Sequence, residues 1–200
     1  MVAAEARTRA RGARETRKEA IITAAAEVLR TEGVAACTVR NIAEAGNVSK
    51  SAIHYYFTEI TDIVDLAFER LLDQFILRVE RAAEGVEDPF EAVWAAAAEY
   101  LRTGSDGPES SRAPMLAFDY HVQATRRGDN LPMSALAERF SGLLGRLVAA
   151  TGVPDAEAVA DTLFSALIGT IVRAPLTTQG TEDALDTLSR ALHLPRRRPL

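Results

Sequence analysis

The stretch from Thr38 to Phe57, TVRNIAEAGNVSKSAIHYYF, leaves few choices for what the chain can fold into. It reads as a helix, a tight turn and a second short helix. Thr38 is a good N-cap, and Ile42 and Ala43 give the first of these helices an inward face. Asn47 stands where the chain must turn sharply, and after Gly it is the residue best suited to a left-handed backbone. Ser49 caps the second helix, whose inward residues at helical spacing are Ala52, Ile53 and Tyr56. A small Ala, a left-handed residue in the turn and a branched apolar residue beyond it are what close helix–turn–helix packing requires. The outward face of the second helix carries Lys50, Ser51, His54 and Tyr55. These are donors and stacking groups rather than an apolar stripe, the surface expected of a helix lying in a DNA major groove.

From about Arg17 to Leu66 the chain resembles the DNA-binding domain of the TetR (tetracycline repressor) family of transcriptional regulators. The resemblance rests on the helix preceding the motif, Thr-x-x-x-Ile-Ala at Thr38–Ala43, Val-Ser-Lys at Val48–Lys50, and the aromatic ending Tyr55-Tyr56-Phe57. Three positions depart from the family pattern. Gly46-Asn47 replaces the usual Ala-Gly, His54 replaces the usual Tyr three residues before the Phe, and Ile60 replaces a Lys that follows the Phe by three. The last change removes one expected phosphate contact at the start of helix four. The resemblance implies a three-helix N-terminal domain, a larger helical C-terminal domain, and a homodimer built mainly from the last two helices. It also implies a small apolar or amphipathic effector, and contacts from His54 and Tyr55 to DNA backbone and bases.

The total charge of −5 is not that of a nucleic-acid binder, but the charge is unevenly spread. Residues 1–60 carry nine Lys/Arg and seven Asp/Glu, whereas residues 61–200 carry fourteen and twenty-one. Phosphates respond to local charge, because screening cuts off interactions beyond about 8–10 Å. A basic end on an acidic body suits a protein that touches DNA at one end. No run of about 18 apolar residues predicts a membrane span. The single cysteine, Cys37, excludes an internal disulfide, and a cytoplasmic setting is expected. Cys37 itself reads as a small buried residue rather than a redox sensor.

The periodicity predicts an all-α fold of about nine helices. Residues 1–15 have no apolar face and read as a flexible basic arm, in which Arg7, Arg9, Arg11 and Arg14 either reach phosphates or stay solvated. Residues 16–60 form the helix–turn–helix domain, with helix one over Arg17–Glu32, Thr16 as its cap and Gly33 as its end. Residues 61–194 form an effector-binding and dimerisation domain, and residues 195–200 a basic tail. Helix four runs to about Glu84 along the stripe Ile60, Val64, Ala67, Leu71, Phe75 and Val79, long enough to join two domains without a linker. Prolines then mark helix starts at Pro89, Pro114, Pro132 and Pro154. Thr103–Ser111 reads as a loop and residues 127–130 as a turn. Helix eight is apolar on two faces, one with Val159, Leu163 and Leu167, the other with Ala160, Phe164, Ile168 and Ile171. Such a helix must be buried on both sides, one against its own core and one against a partner. Periodicity cannot tell which is which. The dimer set is therefore Leu163, Phe164, Leu167, Ile168, Ile171, and from helix nine (Thr181 to Leu192) Leu185, Leu188 and Leu192.

No Gly-rich phosphate loop, GxSxG or HExxH occurs, so neither an enzyme nor a cofactor is expected. His54, His121 and His193 are far apart, and His121 with Asp119 lacks metal-ligand spacing. For double-stranded DNA with an inverted-repeat operator, Lys50 and Arg40 are the phosphate candidates. Thr38 and Ser49 cap helices and offer hydroxyls to phosphate, while Ser51, Ala52 and Tyr55 are placed to read bases and Tyr56 reaches the DNA edge. Trp94, Tyr100, Met115, Phe118, His121, Phe140 and Phe164 either line a ligand cavity or fill an ordinary core. The competing class is a helical ligand-binding or adaptor protein of the same fold that has lost DNA binding, favoured by Ile60 and the acidic total.

Overall fold

The computed structural model describes the backbone of residues 2–102, 113–128, 131–176 and 180–197. Side chains are described for the same residues except 2–11, 113–115, 131–133, 136 and 175. The expected loop at Thr103–Ser111 therefore lies outside the described residues, as do positions 129–130 of the expected turn and the side chains of Arg7, Arg9, Arg11 and Met115. Regular structure among the described residues is entirely helical. The α-helices are α1 (Val2–Glu32), α2 (Val39–Ala45), α3 (Lys50–Tyr56), α4 (Ile60–Ala83), α5 (Pro89–Arg102), α6 (Ala113–Arg127), α7 (Leu131–Ala150), α8 (Ala156–Arg173) and α9 (Thr181–Leu192). Short 3-10 turns occupy Val34–Ala36 and Ala174–Leu176.

The chain forms two compact units, Met1–Leu71 and Leu72–Leu200, and the break falls inside α4. In the first unit, α1 supplies the central hydrophobic face. Ile21, Ala25 and Leu29 are fully buried on it, four residues apart. Ile42 of α2, Ile53 of α3 and Ile63, Ala67 and Phe68 of α4 are buried too. Each such large side chain contributes about 1.5–3 kcal/mol relative to exposure. Arg70 of α4 donates to Thr23 Oγ1 at 2.6 Å and pairs with Glu19, so α4 is tied to α1 by polar contacts as well.

The first 15 residues are not the expected arm. From Val2 they continue α1 without a break. Ala, Arg and Glu are strong helix formers, so this segment forms a helix although it has no face to bury. Thr16 is accordingly no cap. It lies inside α1, and its hydroxyl donates to the Gly12 carbonyl at 2.9 Å.

In the second unit α5 is central, packing against α7, α8 and α9. Asp88 caps it, accepting from Phe90 N–H at 2.9 Å. Its small fully buried residues Ala96 and Ala97 allow close approach of neighbouring helices. Residues 194–197 are held down rather than free. Leu194 is buried, Trp94 Nε1 donates to the Pro195 carbonyl at 2.8 Å, and Arg196 pairs with both Glu182 and Asp186 of α9. The Arg197 amide donates to Glu91 Oε1 of α5 at 2.7 Å. The expected tail is thus a strap over residues 194–197. Burial of the Arg196 guanidinium works against its charge, but the hydrogen bonds from Glu182 and Asp186 outweigh it and hold the pKa above the usual value.

Candidate nucleic-acid interface

Two caps and one left-handed residue fix the interface. The Asn41 amide donates to Thr38 Oγ1 at 3.2 Å, and the Ala52 amide donates to Ser49 Oγ at 3.1 Å. Each hydroxyl thereby satisfies a donor that the first turn of its helix leaves open. Between the helices Asn47 takes φ 48°. Around it the Val48 amide returns to the Ala43 carbonyl at 2.9 Å and the Asn47 amide to the Glu44 carbonyl at 3.2 Å. This is the paired closure that ends a helix through a left-handed residue. Gly46 serves packing instead. A Cβ there would lie 3.0 Å from Ala24 Cβ of α1 and 3.2 Å from the Ile42 carbonyl oxygen.

With the turn fixed, Ile53 faces the core and Lys50, Ser51, His54 and Tyr55 face out. Tyr55 is 68% exposed. Ala52 and Tyr56 are half-buried, and Thr38, Arg40 and Ser49 are exposed on the adjoining surface. Ser49 Oγ and Ser51 Oγ lie 3.0 Å apart. The nine residues singled out from the sequence therefore sit on α2, α3 and their caps, in one unit. Two basic residues of α1 join them. The Arg14 guanidinium lies 5.6 Å from the Tyr55 ring centre and Lys18 Nζ lies 5.5 Å from that of Phe57. Lys18 carried no signal in the sequence, because its place depends on how α1 crosses α3.

Cys37 is buried beneath this surface, its Sγ 4.0 Å from the Ala25 carbonyl oxygen. Burial, with a smaller push from Glu32, raises its thiol pKa to about 12. It is therefore a thiol and not a thiolate at neutral pH.

Residues 21–67 match the model of the family described as bacterial regulatory proteins, tetR family. The match covers the helix–turn–helix segment of the chain. The chain is 33% identical over 72 residues to the HTH-type nicotine-responsive transcriptional repressor HdnoR of Paenarthrobacter nicotinovorans, covering 36% of this chain and 37% of that protein. It is 34% identical over 85 residues to the HTH-type transcriptional regulator HbdR of Aromatoleum sp., covering 40% and 37%. The chain thus spans little more than a third of the length of these curated relatives, which are regulators rather than enzymes. A transcriptional regulator of the TetR/AcrR family from Thermobifida fusca superposes with a TM-score of 0.62 at 25% identity, over 92% of this chain and all of that one.

The residues expected to line a cavity in the second unit are placed in different surroundings. Tyr100, Phe140 and Phe164 come together, with Tyr100–Phe140 ring centres 4.8 Å apart and Phe140–Phe164 4.9 Å apart. Phe75 of α4 completes the group at 5.4 Å from Tyr100, and was visible in the sequence only as part of a stripe. Burial pushes the Tyr100 hydroxyl pKa upward. Trp94 is elsewhere occupied, bonded to the strap. Phe118 is 53% exposed, and His121 is half-buried.

The dimer set needs a larger correction. Leu163, Leu167, Ile171 and Leu185 are buried in this chain's own core, so they offer nothing to a second chain. Phe164, Leu188 and Leu192 are half-buried against that core. Of the eight, only Ile168 is exposed, and Val172 and Leu176 extend its stripe. The buried face of α8 draws on both expected faces, taking Leu163 and Leu167 from one and Ala160 and Ile171 from the other. Ala160, Leu163, Leu167 and Ile171 point in, with Phe164 half-buried beside them, while Ile168 and Val172 are exposed. Among the described residues no helix is long and apolar enough to cross a membrane.

Proposed function

We propose that the protein is a homodimeric transcriptional repressor that reads an inverted-repeat operator in double-stranded DNA and is released by a small apolar or amphipathic effector. The observation that carries this reading is the outer face of α3, polar and aromatic, on a helix whose start and approach angle are fixed by Ser49 and Asn47. Lys50 and Arg40 anchor phosphates as charges. Thr38 and Ser49 accept cap bonds and keep a hydroxyl proton to give to phosphate. Ser51, Ala52 and Tyr55 meet base edges, His54 the backbone and bases, and Tyr56 the edge of the site. Two copies then present two α3 helices to half-sites about 34–36 Å apart.

Effector release is supported by the nicotine-responsive relative. It is supported also by an aromatic group, Phe75, Tyr100, Phe140 and Phe164, able to face a flat apolar ligand. The effector works by favouring one of two states of the protein. The exposed stripe Ile168, Val172 and Leu176, flanked by half-buried Phe164, supports pairing of two chains along α8. A cytoplasmic location, beside the chromosome, goes with this reading.

The test is binding of the purified protein to its own upstream DNA across a salt series. Tight, salt-steep binding with preference for one inverted repeat is expected. Lys50→Ala should weaken all binding and lower the salt slope by about one. Binding no stronger than to random duplex at moderate salt would sink the proposal in favour of the adaptor reading, to which the half-buried Ile60 at the start of α4 belongs.

A further inference from the structure

Tyr55 is 68% exposed on the reading surface, and its large flat ring has two close neighbours. The Tyr56 ring meets it edge-on, with centres 5.0 Å apart and planes at 90°. Over it lies the Arg14 guanidinium, 5.6 Å from the ring centre. That distance is inside the range in which a cation is attracted to an aromatic face. Arg14 is reached only because α1 continues as a helix far N-terminal to the residues that pack it. The buried face of α1 begins at Ile21, so Arg14 stands about two turns beyond its last core contact. A helical overhang with no core of its own has one described aromatic contact at this point, and that contact is with the reading helix.

We infer that Arg14 is a positioning residue for base readout: it holds the Tyr55 ring in one orientation, and so sets sequence preference through Tyr55 rather than by touching bases itself. This rests on the DNA-binding reading above. An exposed tyrosine that samples several rotamers must give up that freedom on binding, whereas one already held does not. The attraction is between the guanidinium charge and the ring, so the contact does not depend on DNA being present. A phosphate contact would affect all duplexes alike. A contact acting through Tyr55 affects only those sequences that Tyr55 distinguishes.

The experiment uses the full chain and a randomised duplex pool, from which the wild type selects its preferred sequence. The reading is the ratio of affinity for the selected duplex to that for unselected pool DNA, measured at several salt concentrations. Arg14→Ala is expected to lower that ratio by about two- to fivefold, the range for an exposed cation on a ring. In a Tyr55→Leu background the same change should leave the ratio unaltered, and Arg14→Lys should restore part of it. Equal losses in both backgrounds, or an unchanged ratio with a shallower salt slope, would make Arg14 an independent phosphate contact and overturn the inference. If the wild type enriches no sequence at all, the DNA-binding reading falls first, and this one with it. Circular dichroism of each variant checks that α1 stays helical. Arg14→Gln, which keeps helix propensity but removes the cation, separates loss of charge from loss of helix.

Discussion

Replacing Arg196 by Met tests whether the strap over residues 194–197 is held by charge or by the apolar grip of Leu194. The Arg196 side chain is 6% exposed and forms ion pairs with Asp186, 17% exposed, and Glu182, 61% exposed. The Glu182 pair faces water on its acid side and is worth about 0.5 kcal/mol. The Asp186 pair is largely enclosed, and a charged hydrogen bond of that kind contributes about 1.5–3 kcal/mol. Removing the cation also leaves Asp186 enclosed without it, although the strap can lift locally and let water in, which caps the cost. The net loss is about 2–3 kcal/mol, or about 5–10 °C in melting temperature for a chain of this size. Trp94 is the protein's one tryptophan and donates to the Pro195 carbonyl, so its fluorescence reports the strap directly while circular dichroism reports the helices. Arg196→Lys should fall between, because an ammonium cannot fork across two carboxylates. A melting temperature within about 1 °C of wild type, with an unshifted tryptophan spectrum, would refute the charge argument and leave Leu194 as the anchor.

Three further outcomes are expected. Cys37 has its pKa raised from 9.0 to about 12, so the folded state keeps its proton where the unfolded state loses it. Its contribution is complete below pH 9 and is lost as pH rises towards 12, by about 1 kcal/mol per pH unit. Cys37→Ala should remove that part of an alkaline stability titration, and an unchanged slope would refute the assignment. At the turn, Asn47→Ala should cost about 1 kcal/mol in denaturant unfolding and Asn47→Gly nothing or slightly less than nothing, because the residue sits at φ 48°. Equal stability of the two variants would show that the left-handed backbone is not what Asn47 supplies. Ile168→Glu with Val172→Glu should leave helix content intact and convert the protein to monomers in sedimentation experiments. A dimer surviving both charges would place the interface elsewhere.

Local chemistry made the first unit legible and its absence hid much of the second. Thr38, Asn47 and Ser49 each have a reason to be where they are that needs no knowledge of the rest of the chain, since caps and left-handed turns are decided within about five residues. The helix boundaries marked by Pro89 and by the Thr181–Leu192 pattern were readable for the same reason. The division of α8 was not. Both its sides are apolar, and which one is buried depends on where α5 and α7 lie, which no period within α8 records. The overhang of α1 was missed for the opposite cause. A search for apolar faces passes over a helix that buries nothing, even where Ala, Arg and Glu favour it. The strap escaped notice because Arg196 finds its carboxylates ten and fourteen residues upstream on another element, and charge alone carries no address.

Gly46 and Asn47 divide between them two duties that the family pattern Ala-Gly arranges differently. One position must be small because α1 passes close by, and the next must accept a left-handed backbone. A methyl group at Gly46 would meet Ala24 Cβ at 3.0 Å, so positions 24 and 46 share a single allowance of volume. In a set of relatives, these two positions should therefore covary in size. Where the second carries Ala, either the first shrinks to Gly or the crossing of α1 and α2 opens by a few tenths of an ångström. The size of one side chain on the scaffold helix would then be a heritable adjustment to how α2 and the turn sit against α1, made without altering any residue on the outer face of α3.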